Sequence, residues 1–132
     1  MPVIEPPAIN LVQLAQRLKA LSDPKRLLIL HTLMEGVQCN CELGDVLQMP
    51  ANLISHHLRV LREAGLVTVE RDVLDGRWIY YAVNPAALAE ISQMAGGFFD
   101  PARIKPRRAT CGPQGSVVKI TEITVRHPEK VG

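Results

Sequence analysis

The chain has 132 residues, 47% of them hydrophobic, and 15 lysines and arginines against 13 aspartates and glutamates give a formal net charge of +2. That length fits one domain with tails, and so slight a positive balance excludes a protein that is basic all over, leaving a local patch as the only electrostatic route to nucleic acid. The three cysteines are an odd number and do not read as a disulfide framework. Reduced thiols in the cytoplasm fit them better, and with no long apolar run and no basic-then-apolar leader the expectation is a cytoplasmic protein without a membrane partner.

Residues 1–8 hold three prolines and read as a flexible N-terminal arm. Apolar residues then recur at helical spacing from Ile9 to Leu21, on more than one side of the helix (Ile9, Leu11, Val12, Leu14, Leu18). Asp23 suits an N-cap and Pro24 the first position of a second helix, which runs to about Glu35 and stops at Gly36. Leu27, Leu28, Ile29, Leu30, Leu33 and Met34 nearly encircle it, which predicts a central core helix. A short third helix spans 41–47 with Leu43, Val46 and Leu47 facing inward, and Met49-Pro50 turns the chain into a fourth over 51–64.

The fourth helix has two faces. Leu53, Ile54, Leu58 and Leu61 form the stripe to be buried, with His57 beside it and expected to pack or hydrogen-bond internally. Asn52, Ser55, His56, Arg59 and Arg62 lie opposite. Gly65 ends the helix, and two runs rich in valine, isoleucine and aromatics, 66–71 and 77–83, read as a hairpin turning at Asp75-Gly76. Asn84-Pro85 starts a fifth helix through about Ala95, ended by Gly96-Gly97. The expected fold is therefore mainly α with one β-hairpin, a winged helix-turn-helix in the order α-α-α-α-β-β-α over residues 9–97. An extended C-terminal tail, 98–132, carries a basic cluster (Arg103, Lys105, Arg107, Arg108), Cys111 and a strand-like segment over 116–125.

In that fold one helix enters the major groove with the hairpin beside it. Arg59, Arg62, Arg71 and Arg77 can neutralise phosphates, which makes affinity salt-dependent. Asn52, Ser55 and His56 are short enough to reach base edges. On an isolated helix the arginines would be a solvated face; beside a stop and a hairpin they read as a surface for double-stranded DNA. Nothing in the sequence forms a catalytic constellation, so an enzyme is not expected.

Three linked motifs resemble the ArsR/SmtB family of metal- and metalloid-responsive repressors over roughly residues 10–95. They are Leu21-Ser22-Asp23-Pro24-Lys25-Arg26-Leu27, then Ser55-His56-His57-Leu58 with Leu61-Arg62-Glu63-Ala64-Gly65-Leu66-Val67, then Asp75-Gly76-Arg77-Trp78-Ile79-Tyr80-Tyr81. The resemblance implies a homodimer built from the first and fifth helices and bound to a two-fold operator, a symmetry that palindromic DNA shares. One departure is Pro50-Ala51, where the family often has serine and glutamine.

Cys39 and Cys41 precede the third helix, and thiolates are soft ligands for soft ions. Two residues apart in an extended segment, both sulfurs can face one centre, and the helix dipole would favour their thiolate form. A Cys-x-Cys at this place is similar to the family's arsenite and antimonite sensors, which implies As(III) or Sb(III) as inducer, with no cofactor required, and detoxification genes as targets. Some members carry a third cysteine where this chain has Gly44, so Cys111 is the candidate third sulfur, from its own chain or a partner's. The same thiols allow two other readings: a persulfide or redox switch joining Cys39 or Cys41 to Cys111, and a Cd(II) or Pb(II) sensor. The family's zinc site on the fifth helix is not expected, since only Glu90 is available there; His31 and His127 are isolated.

Overall fold

The structure, a computed structural model, describes residues 8–36, 39–106, 112–113 and 118–120. The helices and hairpin below lie within the unit Ile4–Arg103, while Ile104 and the described residues after it belong to a second unit. Residues 1–7 of the expected arm, together with Arg107, Arg108, Cys111 and His127, fall outside the described residues. Of the strand-like segment, Val118 to Ile120 are described and are not in a strand.

Local chemistry accounts for the helix starts. In α1 (Leu11–Ala20) the Asn10 side chain accepts from the Gln13 amide at 3.0 Å. In α2 (Pro24–Met34) Asp23 accepts from the Lys25 amide at 2.7 Å and Pro24 takes the first position, where its missing N–H costs nothing. Gly36, at φ 105°, ends α2 in the left-handed region that a side chain disfavours. The third helix, α3 (Asn40–Leu47), begins at Cys39 with no side-chain cap. The fourth, α4 (Ala51–Glu63), is followed by Gly65 at φ 78°.

Strands β1 (Val67–Arg71) and β2 (Ile79–Val83) pair antiparallel, with Val67 opposite Val83 and Arg71 opposite Ile79. Asn84 locks the hairpin to the helices on both sides of it. Its amide donates to the Leu66 carbonyl (2.9 Å), its side chain donates to the Gly65 carbonyl (3.1 Å), and its Oδ1 caps α5 (Pro85–Phe98) by accepting from the Ala86 amide (3.1 Å). This is the arrangement of a winged helix-turn-helix, with α3 and α4 as its helix pair and the hairpin as its wing. Ile29, Leu43, Ile54, Leu58, Leu61, Leu66 and Val67 fill the core. Arg17 of α1 pairs with Glu90 of α5 at 2.8 Å.

Four expectations need correction. The second helix is not encircled: Ile29, Leu30 and Leu33 are buried, but Leu27, Leu28 and Met34 are exposed, because packing neighbours cover one side only. Val46 is 58% exposed rather than inward, since the short α3 turns a single residue, Leu43, fully into the core. In the α4 stripe Leu53 is only half-buried. Finally, α5 runs through Gly96 and Gly97 to Phe98. A glycine costs a helix interior only about 1 kcal/mol relative to alanine. The Phe98 ring, edge-on to Phe99 (centroids 5.1 Å apart) and covered by the Arg103 guanidinium at 5.0 Å, supplies packing at the end of the helix beyond the two glycines.

Candidate nucleic-acid interface and thiol pair

The apolar stripe seats α4 and thereby sets what faces outward. Ile54, His57, Leu58 and Leu61 are buried, while Asn52, Ser55, His56, Arg59 and Arg62 are all exposed. Arg59 Nη2 lies 3.3 Å from His56 Nδ1. No hydrogen bond or ion pair engages the Arg62 side chain among the described residues, so its charge stands in solvent. His57 behaves as the sequence suggested: its Nδ1 faces Arg26 Nη1 at 3.3 Å, and its Nε2 meets no hydrogen-bond partner among the described residues. Burial holds His57 below the usual imidazole range, opposed by the pull of Asp23 and aided by the smaller effect of the neighbouring Arg26 charge.

The wing arginines are placed differently. Asp72 Oδ1 accepts from the amides of Leu74 (2.8 Å) and Asp75 (2.9 Å), which shapes the loop. Its apolar tip is open to solvent, with Val73 97% and Leu74 96% exposed. The Asp75 carboxylate then receives Arg77 Nε at 3.0 Å and Nη2 at 2.8 Å, a two-pronged pair. These bonds hold the Asp75 carboxyl below its ordinary range and raise Arg77. Arg71 Nη1 donates to the Gly76 carbonyl. Both guanidinium groups are therefore engaged with the loop itself.

At the entrance to α3 the two sulfurs stand 3.0 Å apart, with Cys39 buried (6% exposed) and Cys41 exposed. Two sulfurs that bind one ion at roughly 2.3 Å each lie within about 4.6 Å of each other, so the pair already meets that condition. The expected thiolate character does not hold for Cys39. Burial first, and then the hydrogen bond with Cys41, push its thiol up to about 11, against a smaller lowering by the Glu42 backbone N–H at the helix start. That hydrogen bond at the helix start acts in the expected direction and is outweighed. No group of three or more His, Cys, Asp or Glu poised for a metal occurs among the described residues, and Cys111 lies outside them. At Gly44, where the third cysteine of some relatives would sit, a Cβ would come within 3.3 Å of the Met49 carbonyl oxygen, which leaves a side chain little room.

Two links from this segment were not evident in the sequence. Cys39 forms an antiparallel bridge with Tyr80 of β2. Asn40, between the cysteines, donates from Nδ2 to Ser55 Oγ of α4 at 3.1 Å. The sequence, which placed Asn40 in the connection before a helix over 41–47, carried no signal for either link.

A family model described as "Bacterial regulatory protein, arsR family" matches residues 23–69. An uncharacterized HTH-type transcriptional regulator of Methanocaldococcus jannaschii is 38% identical over 81 residues, which cover 61% of this chain and 88% of that protein. The arsenical resistance operon repressor of Bacillus subtilis is 39% identical over 70 residues, 52% of this chain and 64% of that protein, so the match spans a little under two thirds of that repressor. Among solved structures, the homodimeric winged helix-turn-helix DNA-binding domain of a possible ArsR-family regulator from Mycobacterium bovis superposes with a TM-score of 0.55 at 26% identity, covering 74% of this chain and 88% of that one. These relatives are transcriptional regulators rather than enzymes. No helix among the described residues is long and apolar enough to cross a membrane.

Proposed function

Because the chain belongs to the ArsR/SmtB family of transcriptional regulators, we propose that it is a homodimeric repressor of the cytoplasm that leaves its operator when As(III) or Sb(III) binds the thiols of Cys39 and Cys41. The observation that carries this reading is the pair of sulfurs 3.0 Å apart at the start of α3, one connection ahead of the helix that would enter the groove. The arsenical resistance repressor among the relatives supports the choice of inducer, and the homodimeric neighbour supports the assembly. Cys111, of either chain, is the candidate third sulfur.

The chemistry is balanced without a redox partner. When arsenite meets two thiols, two As–S bonds form, two As–OH and two S–H bonds break, and two waters leave. A new bond at Cys39 strains the first turn of α3, and α4 must then shift or lose its seat, which links capture to DNA release. The test is operator release followed by fluorescence anisotropy during arsenite addition. Release by the wild-type protein but not by Cys39→Ser or Cys41→Ser supports the reading; release by both variants overturns it.

A redox switch through Cys111 is the second reading. It calls for an accessible thiol of low pKa, which buried Cys39 is not. Exposed Cys41 is the residue that would serve it.

A further inference from the structure

We propose that Asn40 is a positioning residue that aims the Ser55 hydroxyl at DNA and carries the state of the thiol pair to the recognition helix. The proposal rests on the DNA-reading role of α4 and on the thiol site described above, and it assigns the connection between them.

Asn40 is the first residue of α3 and lies between the two cysteines. Its Nδ2 donates to Ser55 Oγ at 3.1 Å across 15 residues of sequence. A hydroxyl that accepts one hydrogen bond still has its own O–H to donate. With Asn40 occupying a lone pair, the Ser55 proton is directed away from α3, toward an acceptor supplied by DNA, either a phosphate oxygen or a base edge. A serine without that partner spreads its proton over several rotamers and loses freedom when DNA fixes one.

The same segment is held from its other side. The Cys39 backbone is bridged to Tyr80 of β2, so residues 39–41 lie between the recognition helix and the wing strand. The Cys39 thiol is buried, whereas Cys41 faces solvent. Two sulfurs bound to one ion at roughly 2.3 Å and a tetrahedral angle stand about 3.8 Å apart, so the pair must open from its 3.0 Å separation. Whatever part of that opening the backbone takes up falls on the short segment whose middle residue is Asn40. A side-chain hydrogen bond this close to its limit does not survive a displacement of much more than half an ångström. Occupancy of the thiols is thus read by α4 as loss of the Asn40 donor, before any larger movement of the helix.

The test uses the full-length reduced protein and a duplex selected by the wild-type chain from a random pool. Without inducer, Asn40→Ala and the isosteric Asn40→Asp, which lacks the donor, are expected to weaken binding about 3- to 10-fold, the size of one net hydrogen bond. The salt slope should be unchanged in Asn40→Ala, since no charge is altered, whereas Asn40→Asp also adds an anion. Ser55→Ala should weaken binding similarly, and the double variant no more than Ser55→Ala alone. Wild-type affinity in both Asn40 variants, or effects of Asn40 and Ser55 that multiply independently, overturns the positioning role.

With arsenite, the factor by which the wild-type protein loses affinity should shrink in Asn40→Ala, while the number of thiols protected per chain stays the same. An equal factor in the two proteins overturns the transmission role. If the wild-type protein itself does not respond to arsenite, the inducer reading and the transmission role both fail, and the inducer-free comparison still decides the positioning role.

Discussion

The recognition helix and the wing both present arginines, yet they hold them in opposite ways. On α4 the packed stripe of Ile54, His57, Leu58 and Leu61 turns Arg62 into solvent, and Arg59 meets only a histidine ring nitrogen. On the wing, Arg77 is clasped by Asp75 and Arg71 donates to the Gly76 carbonyl. A helix surface separates side chains that point outward, whereas a tight loop brings cation and anion within reach of each other. Equal charges in the sequence are therefore unequal in availability, and DNA bound to this surface is expected to gain more from the helix, where little must be broken first.

The largest effect should come from removing the seat of α4. Leu58→Ala or Ile54→Ala, at fully buried positions, is expected to cost about 2–5 kcal/mol of stability. Urea titration should show an earlier midpoint, and operator binding should weaken as the unfolded fraction grows.

Next come the arginines themselves. The double variant Arg59→Ala, Arg62→Ala should lower the log–log salt slope of DNA binding by about 0.9 for each phosphate that is no longer neutralised. Arg77→Ala should change it less, because Asp75 already offsets that charge. Asp75→Asn keeps the acceptor for the Arg77 amide and removes the anion. It should tighten DNA binding up to about 5-fold, the range of an exposed ion pair. Equal slopes for the wing and helix variants would erase the contrast between the two elements.

The thiol pair predicts a dependence on pH that separates inducers. A Cd(II) ion must displace the proton of Cys39, whose thiol sits at about 11, so its affinity should rise at least about tenfold per pH unit through the neutral range. Arsenite releases water instead and should bind with little change over the same range. Isothermal titration in buffers of different ionisation heat reads the proton count directly.

The smallest effect concerns His57. Its folded-state pKa is lowered, chiefly by burial, so the unfolded chain takes up a proton before the folded one does. Stability is therefore full above the ordinary imidazole range and falls as pH drops from about 7 to about 5. Thermal melts of His57→Gln should lose less over that interval than those of the wild-type protein.

Much of this was legible in the sequence because it rests on short-range chemistry. Asp23-Pro24 and Asn84-Pro85 announce helix starts, Gly36 and Gly65 mark stops, and the runs of valine, isoleucine and aromatics over 66–71 and 77–83 mark strands. The polar face of α4 and the internal place of His57 followed from helical spacing alone. What spacing could not convey depends on partners distant along the chain or in space. The Phe98, Phe99 and Arg103 packing lies at the end of α5, beyond its two glycines. One-sided cover leaves Leu27, Leu28 and Met34 exposed, and burial turns the Cys39 thiol away from the thiolate that a helix start favours. The Asn40 to Ser55 bond joins two elements whose proximity no periodicity encodes.

The most direct test of the central claim is an arsenite titration of the fully reduced protein that counts the thiols protected from a thiol reagent. Protection of Cys39 and Cys41 together is expected, with a third thiol protected when Cys111 completes the site. Protection of neither member of the pair would contradict it.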